Sequence, residues 1–201
     1  MIRVLLAEDQ AMMRGALSVL LGLEPDLEVV GEVGAAGDIV AAAVRLRPDV
    51  ALLDIEFADG SALDVAPQLH ALVPRCAIAF VTTFGRPGYL RRAFDAGARG
   101  FLVKDGPVDG LASAVRTLHA GGTVVDPALA AAALTAGPSP LTGRERDVLV
   151  TSADGRSSQE IGVTLHLSES TVRNYLSAAI AKTGTRNRVE ALATAREQGW
   201  V

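Results

Sequence analysis

Short apolar runs recur through residues 1–121, and segments with helical periodicity separate them. The run Val50–Leu53 has four apolar residues in succession, which is typical of a strand buried on both faces of a parallel sheet. Similar runs lie at Val4–Ala7, Leu27–Val30, Ala77–Val81 and Gly100–Val103. Five strands that alternate with five helices predict an α/β fold with a doubly wound, five-stranded parallel sheet.

Polar side chains stand at the carboxyl end of four of these runs: Glu8 and Asp9, Asp54, Thr82 and Thr83, and Lys104. Ligands of parallel α/β sheets bind at the edge that these ends form, so we expect the side chains to meet there. The alternative is a set of plain ion pairs between Lys104 and the acids. That interpretation explains each residue singly but not their shared position.

Three carboxylates in one pocket are costly unless a cation neutralises them. Glu8, Asp9 and Asp54 offer hard oxygen donors, which suit Mg²⁺ with part of its water shell. Zinc is disfavoured because no histidine or cysteine stands near these positions. The three histidines, at 70, 119 and 166, are scattered and are interpreted as ordinary surface or boundary residues.

A metal ion with an ammonium and a hydroxyl opposite it is a site for a phosphoryl group, because each can hold one phosphoryl oxygen. Lys104 and Thr82 would supply the ammonium and the hydroxyl. Asp54 is then the nucleophile that forms an acyl phosphate. A dinucleotide or P-loop site is disfavoured, since the segment Glu8-Asp9-Gln10-Ala11 is acidic and lacks glycine.

Two further features bear on the location of the protein. The single cysteine, Cys76, enters an apolar run and is expected to be a small buried side chain in a reducing cytosol. The sequence has no N-terminal signal pattern and no apolar run of about 18 residues, so neither secretion nor membrane insertion is expected. The predicted location is the cytoplasm.

Charge is distributed unevenly along the chain. Residues 138–201 carry eight Lys or Arg against seven Asp or Glu, whereas the remainder carries eleven against sixteen. This asymmetry indicates two domains with different partners. We expect a first domain at 1–121, an Ala-rich and partly helical linker at 122–140, and a small all-α domain at 141–201.

Helix start signals replace the strands after residue 141. Capping-box patterns begin at Thr142 and Ser157, and Ser168 and Asn187 are suitable caps for two more helices. The helices Ser158–Leu165 and Glu169–Lys182 would be joined by only three residues, which is the spacing of a helix-turn-helix. Four short helices are therefore predicted.

The second helix of this pair carries polar side chains opposite its apolar stripe: Ser170, Arg173, Asn174 and Ser177. Such side chains suit the major groove of DNA, where Arg pairs with guanine and Asn with adenine. Lys182, Arg186 and Arg188, just beyond them, would meet phosphates. A solvated amphipathic helix, with charges that serve solubility, is the alternative interpretation.

The whole chain resembles bacterial two-component response regulators of the NarL/FixJ type, which join a receiver domain to a LuxR-type helix-turn-helix domain. The matching residues are Glu8-Asp9, Asp54, Thr82, Lys104, Leu141–Glu145, Ser168–Tyr175 and Asn187–Ala191. The resemblance implies DNA binding by the tail, with Thr171 added to the contact residues named above.

The resemblance also implies how the acidic site works. A sensor histidine kinase would phosphorylate Asp54, and Thr82 and Phe101 would shift in response, with Thr83 beside them. Mg²⁺ would be held by Glu8, Asp9, Asp54 and the main-chain carbonyl of Glu56.

Further segments look like the DesR-type, cold-sensing regulators of membrane-lipid desaturase genes: Ala7–Gln10, Thr82–Tyr89, Thr171–Ser177 and Gly199-Trp200. Three positions depart from the family pattern. Ala58 replaces the usual proline and Ala62 the usual glycine in the loop after Asp54, which predicts a less rigid loop and puts the lifetime of the phosphorylated state in question. Ser177 replaces a frequent lysine, so one DNA contact is expected to be missing.

Phosphorylation would add about two negative charges at Asp54, which Lys104 and Thr82 attract. We expect the altered surface of helices one and five, or four and five, to favour a homodimer. Two copies of the reading helix would then bind half-sites about one helical turn apart.

Two other classes of protein share part of this pattern. A phosphatase of the haloacid-dehalogenase type also uses an Asp nucleophile with Mg²⁺, but it requires a second Asp where Glu56 stands and leaves the tail unexplained. A DNA-binding protein independent of phosphorylation would have a degenerate receiver, whereas Glu8, Asp9, Asp54, Thr82 and Lys104 are all intact. A regulator rather than an enzyme is therefore expected.

Overall fold

The computed structural model describes residues 1–83, 85–104, 109–136 and 138–201, with the backbone alone at 109 and 134–136. These residues form two compact units, Met1–Gly85 with Leu90–Ala131, and Arg86–Tyr89 with Ala132–Val201. None of the helices in the described ranges combines the length and apolar character needed to cross a bilayer. Position 84 lies outside the described residues; it belongs to the segment Thr82–Tyr89, which was noted above for its resemblance to DesR-type regulators.

A parallel sheet occupies the centre of the first unit. The strands are β1 Ile2–Ala7, β2 Leu27–Val33, β3 Val50–Leu53, β4 Glu56–Phe57, β5 Gly60–Ser61, β6 Ala77–Thr82, β7 Gly100–Val103 and β8 Val124–Val125. Six of these described strands pair in the order β2-β1-β3-β6-β7-β8, and every pairing is parallel. The predicted doubly wound α/β class is confirmed.

Two strand features were not expected from the sequence. β8 adds a sixth strand inside the segment interpreted as a linker, and β4 and β5 form a small antiparallel hairpin after Asp54. Each of these strands has only two residues, which is too short for a period-2 pattern to be recognised. The hairpin matters for function because it begins two residues after Asp54.

Helices connect the strands: α1 Ala11–Gly22, α2 Ile39–Leu46, α3 Ala62–Leu72, α4 Pro87–Asp95, α5 Asp109–His119 and α6 Pro127–Ala136. A 3₁₀ turn at Ala36–Asp38 precedes α2. Local chemistry explains several starts. Ser61 Oγ accepts a hydrogen bond from the Leu63 N–H at 3.3 Å and caps α3. Pro87 begins α4. The N–H groups of the first helical turn have no acceptor within the helix, so a proline at this position loses no hydrogen bond.

The central strands are buried on both faces, as their unbroken apolar sequence predicts. All four residues of β3 are at most 1% exposed, and Val4, Leu5 and Leu6 of β1 are similarly buried. Cys76 lies at the edge of this core, and burial raises the pKa of its thiol to about 12. The expectation of a small buried side chain is confirmed at this position.

Four helices follow in residues 138–201, all of which the structure describes: α7 Gly143–Thr151, α8 Ser158–Leu165, α9 Glu169–Thr183 and α10 Arg188–Glu197. Thr142 and Ser157 form complete capping boxes, and Ser168 and Asn187 cap the other two helices, as predicted. A small core that includes Val148, Ile161, Val172 and Leu192 packs the helices together.

The turn between α8 and α9 is tight. His166 ends α8 in the left-handed conformation with φ of 56°, and the Leu167 N–H donates to the Gly162 carbonyl at 2.8 Å. A side chain at Gly162 would place its Cβ 2.6 Å from the Leu167 carbonyl oxygen, so only glycine allows this approach. The three-residue connection predicted from the sequence therefore forms a helix-turn-helix corner.

Candidate functional site

Four strands of the sheet end at one edge and bring acidic, hydroxyl and amino side chains together there. Lys104 Nζ donates to Glu8 Oε2 at 2.6 Å and to Asp54 Oδ2 at 2.7 Å. The side chains of Glu8, Asp54 and Lys104 are 1%, 8% and 6% exposed. Residues that lie up to 96 positions apart in the sequence thus form one ion-paired group.

Backbone hydrogen bonds extend past the strand ends and hold this group in place. The Asp54 N–H donates to the Ala7 carbonyl at 2.8 Å, and the Lys104 N–H donates to the Thr82 carbonyl at 2.8 Å. A parallel ladder that continues for one more residue determines where each side chain leaves the sheet. The lengths of the apolar runs therefore place the polar residues that follow them at the same edge of the sheet.

The electrostatics of the group follow from its burial. Burial of the Glu8 carboxyl and the nearby charge of Asp54 together raise the pKa of Glu8, although the Lys104 hydrogen bond acts in the opposite direction. Burial alone would lower the pKa of Lys104, but its hydrogen bonds to Asp54 and Glu8 outweigh this effect and raise it. The ammonium of Lys104 is therefore retained at neutral pH.

The carboxylates fit a hard divalent cation. Glu8, Asp9 and Asp54 each offer one oxygen, and these oxygens lie within 4.8 Å of one another. Lys104 supplies one positive charge against three carboxylates, so a second source of positive charge is favourable. In the described parts of the chain, no group of residues that could hold a metal ion includes a histidine or a cysteine, and oxygen donors do not suit zinc.

A cleft of about 360 Å³ opens beside this group. It is lined by Asp9, Gln10, Asp54, Glu56, Phe57, Ala58, Thr82 and Thr83. The predicted site residues Glu56, Thr82 and Thr83 therefore face the same space as Asp54. Phe101 does not line the cleft: it is 1% exposed and pairs in register with Phe80 of the adjacent strand.

The polar face of α9 is exposed as its sequence pattern indicates. Ser170, Arg173, Asn174 and Ser177 are exposed, whereas Val172, Leu176 and Ala179 pack into the core. Thr171 is half-buried, and its hydroxyl lies 2.7 Å from the hydroxyl of Ser168, the cap of the helix. Four of the predicted DNA-contact residues thus share one accessible helix surface.

Carboxylates of the same unit pair with one predicted base contact, Arg173, and with one predicted phosphate contact, Arg186. Arg173 forms an ion pair with Glu169 one turn earlier on α9. Arg186 donates to both oxygens of Glu190, with the closest contact at 2.7 Å. These exposed pairs at i and i+4 contribute little to stability and can open when a phosphate competes.

Lys182 and Arg188 have structural partners. Lys182 Nζ donates at 2.7 Å to Glu145, which is 5% exposed and also accepts from the Thr142 N–H at 2.7 Å. Arg188 donates to the Arg156 carbonyl at 2.6 Å and so holds the loop between α7 and α8. The partners of Lys182 and Arg188 have no local signal in the sequence. The i, i+4 spacing of Glu169 with Arg173 and of Arg186 with Glu190 is such a signal for the two exposed pairs.

Replacing Glu145 with glutamine should destabilise the second unit by about 1–3 kcal/mol at neutral pH, because Lys182 loses a charged acceptor. Burial raises the pKa of Glu145, but the hydrogen bonds from Lys182 and Thr142 outweigh it and hold the pKa below the ordinary value of 4.5. A carboxyl whose pKa falls on folding stabilises the folded chain above its unfolded-state pKa and loses this effect at lower pH. The difference between the two proteins should therefore shrink below pH 4.5.

Urea unfolding followed by the fluorescence of Trp200, which packs against the core of the second unit, measures this difference. Glu160→Gln is the matched control, since Glu160 occupies the same capping-box position on α8 and is exposed. An equal loss of stability in both variants would show that the contact with Lys182 adds nothing.

Comparison with known proteins agrees with this architecture. The model of the response regulator receiver domain matches residues 4–116, and the model of bacterial regulatory proteins of the luxR family matches residues 139–195. The transcriptional regulatory protein DesR of Bacillus subtilis is 42% identical over 200 residues, which cover 100% of this chain and 99% of that protein. The uncharacterized transcriptional regulatory protein YvfU of the same organism is 42% identical over 201 residues, with complete coverage of both.

A solved structure shows the same fold. The RcsB response regulator of Salmonella typhimurium superposes with a TM-score of 0.65 at 21% identity, over 96% of this chain and 98% of that one. The resemblance identified from the sequence is therefore confirmed by both family models, by close relatives and by the fold. The chain belongs to the two-component response regulators that regulate transcription and that join a receiver domain to a LuxR-family DNA-binding domain.

Proposed function

We propose that Asp54 accepts a phosphoryl group from a sensor histidine kinase and that the second unit binds promoter DNA in response. The observation that carries this proposal is the contact of Asp54 Oδ2 with Lys104 Nζ at 2.7 Å, beside an open cleft. An Asp54 oxygen attacks phosphorus, and the bond from phosphorus to the donor breaks. Lys104 neutralises charge that develops on the phosphoryl oxygens.

Mg²⁺ is proposed to bind at Glu8, Asp9, Asp54 and the main-chain carbonyl of Glu56. The three clustered carboxylates and the place of Glu56 in the cleft lining support this donor set. When bound, the ion would supply positive charge to the phosphoryl oxygens. The hydroxyls of Thr82 and Thr83, which line the same cleft, are proposed to donate to the same oxygens.

The proposed switch couples Thr82 to Phe101. These residues lie on adjacent strands and are offset by two residues in register, since Phe101 is opposite Phe80 and Thr82 is opposite Val103. A move of Thr82 toward the phosphoryl group would leave space that the Phe101 ring can enter. Both side chains are almost fully buried, and we therefore propose that they exchange between two discrete arrangements rather than over a continuous range.

Dimerisation through α1 is proposed as the step that links phosphorylation to DNA binding. Met12, Val19 and Leu23 are 88%, 66% and 75% exposed and recur at intervals of seven and four residues. This spacing places them on one helix face with the exposed Ala16, as in a helix that packs against a second copy of itself. Of the two helix pairs predicted from the sequence, this stripe favours the pair that contains helix one.

Replacing Val19 with glutamate should prevent dimerisation of the phosphorylated protein, because a charge in the centre of a helix pair must be desolvated. Sedimentation velocity before and after treatment with a phosphodonor measures the change. Val44→Glu is a suitable control, since Val44 is 39% exposed on α2. A Val19→Glu protein that dimerises as the wild type does would exclude this face.

The reading helix is proposed to be α9, with base contacts from Arg173 and Asn174 and further contacts from Ser170, Thr171 and Ser177. The exposure of this polar face, opposite the buried stripe, supports the assignment. Lys182, Arg186 and Arg188 are proposed to approach phosphates. Arg173 can contact a base, and Arg186 a phosphate, only if their ion pairs with Glu169 and Glu190 open on DNA binding.

We assign the receiver function to residues 1–121, a linker to 122–140 and the DNA-binding function to 141–201. The family models at 4–116 and 139–195 support the two domains, and β8 within the proposed linker pairs with the sheet of the first unit. The proposed place of action is the cytoplasm, where the promoter lies. A regulator of this kind holds one phosphoryl group and is not an enzyme that turns over a substrate.

The proposed function is tested with a labelled small phosphodonor in the presence of Mg²⁺, followed by DNA titration. Stable incorporation of one label per chain and tighter DNA binding are expected. Continuous release of phosphate would instead indicate a phosphatase. DNA binding that is the same with and without the label would indicate a regulator independent of phosphorylation.

A further inference from the structure

The hairpin after Asp54 forms one wall of the cleft. Glu56 pairs with Ser61 and Phe57 with Gly60 across its two short strands. Glu56, Phe57 and Ala58 line the cleft beside Asp54. The position of the hairpin therefore determines where the Glu56 carbonyl stands relative to the carboxylates.

Hydrogen bonds at the base of the hairpin connect it to the end of β3. Ser61 Oγ donates to the Ile55 carbonyl at 3.1 Å, and the Ala62 N–H donates to the same carbonyl at 3.0 Å. These contacts hold residues 61 and 62, which lie beyond the tip. They do not by themselves orient Ala58, where the family pattern has a rigid proline.

Asp59 connects the tip of the hairpin to the 3₁₀ turn before α2. Its Oδ1 accepts from the Ala36 N–H at 2.9 Å, and its Oδ2 accepts from the Gly37 N–H at 3.0 Å. The bonds from Gly37 and Ala36 lower the pKa of Asp59, so the carboxylate is charged at neutral pH. Two charge-assisted hydrogen bonds to neighbouring N–H groups hold a carboxylate in both position and orientation.

We propose that Asp59 is a positioning residue that holds the hairpin against the 3₁₀ turn and thereby keeps the Glu56 carbonyl in place for Mg²⁺. The inference rests on the function proposed for the Asp54 site. It also gives the loop a source of rigidity next to Ala58, where the family pattern has a proline: the two hydrogen bonds of Asp59 to the Ala36 and Gly37 N–H groups, called the Asp59 clamp below. The Asp59 carboxylate binds the backbone N–H groups of Ala36 and Gly37. Asp59 would therefore affect Mg²⁺ binding only by holding the hairpin in position.

The experiment uses the full chain with Asp59→Ala, Asp59→Asn and Asp38→Asn. Asp59→Ala removes both acceptors, and Asp59→Asn retains one acceptor without the charge. Asp38 lies exposed in the same 3₁₀ turn, and its side chain makes no capping hydrogen bond to α2, so Asp38→Asn removes an equal charge and leaves the hydrogen bonds of Asp59 intact. Calorimetric titration with Mg²⁺ alone measures affinity, and amide exchange of Ala36 and Gly37 without metal measures the clamp itself.

We expect Mg²⁺ to bind about tenfold more weakly to Asp59→Ala, which is the scale for residues that orient metal ligands, and Asp59→Asn to lie between it and the wild type. The rate of labelling by a phosphodonor should fall at limiting Mg²⁺ and recover at saturating Mg²⁺. The Ala36 and Gly37 amides should exchange faster in Asp59→Ala. Asp38→Asn should behave as the wild type.

Two results would overturn the inference. One is unchanged Mg²⁺ affinity or unchanged exchange of both amides in Asp59→Ala. The other is an equal loss of affinity in Asp38→Asn, which would assign the effect to charge alone. A wild-type chain that neither binds Mg²⁺ nor becomes labelled would overturn the proposed function itself, and the role of the clamp with it.

Discussion

Asp54→Asn removes the phosphate acceptor and should abolish incorporation of label from a phosphodonor. An amide oxygen is a poor nucleophile, and the ion pair with Lys104 Nζ at 2.7 Å is lost with the charge. The DNA affinity of the variant should be the same before and after treatment. The wild type should gain about tenfold or more in apparent affinity, because a dimer engages two half-sites at once.

Hydroxylamine treatment tests the assignment, since it releases a phosphoryl group from a carboxylate but not from a hydroxyl, and the label on the wild type is expected to be lost. Asp64→Asn is the control, as Asp64 is an exposed acid on α3 of the same unit. Label retained on Asp54→Asn at the wild-type level would place the acceptor elsewhere and would remove the basis of the proposed function.

Arg173→Ala should weaken binding to the preferred duplex by about 10- to 100-fold, which corresponds to the loss of one bidentate base contact. The duplex is obtained by sequencing the fragments that the phosphorylated protein retains. Glu169→Gln should have the opposite effect on duplexes in general, because Arg173 no longer has to leave its ion-pair partner and a negative charge is removed near the phosphates.

A double-mutant cycle of these two variants isolates the coupling between Glu169 and Arg173. Arg144→Ala is the charge-matched control, since Arg144 is exposed on α7 and pairs with Asp147 at 3.9 Å. If Arg173→Ala and Arg144→Ala weaken binding equally and uniformly across sequences, Arg173 acts only as a positive charge and α9 does not read bases.

The acidic site could be predicted because it depends on strand ends. Each apolar run ends where the sheet ends, so a polar residue directly after it must lie at the edge. Glu8, Asp54 and Lys104 directly follow three different strands and were therefore expected to meet, and the structure joins them by contacts of 2.6 and 2.7 Å. The helix caps at Thr142, Ser157, Ser168 and Asn187 were predictable for a similar reason, because a cap acts within three or four residues.

The partners of the basic residues could not be predicted in the same way. Lys182 is 37 positions from Glu145, and Arg188 is 32 positions from the carbonyl that it binds. No local pattern connects such residues, since the contacts depend on how the four helices pack. The bond from the Asp59 carboxylate to Gly37, across 22 positions, is of the same kind.

By itself, the sequence determined the five central strands and the helices between them, the edge at which the functional side chains gather and the polar face of α9, but not the two-residue strands β4, β5 and β8. These features follow from periodicity and from the ends of apolar runs, which act over a few residues. Only the tertiary structure decided that Lys182 binds a buried glutamate, that Phe101 is buried and does not line the cleft, and that Asp59 accepts hydrogen bonds from the turn before α2. Those contacts join elements through packing, and packing depends on the whole set of side chains rather than on any one segment.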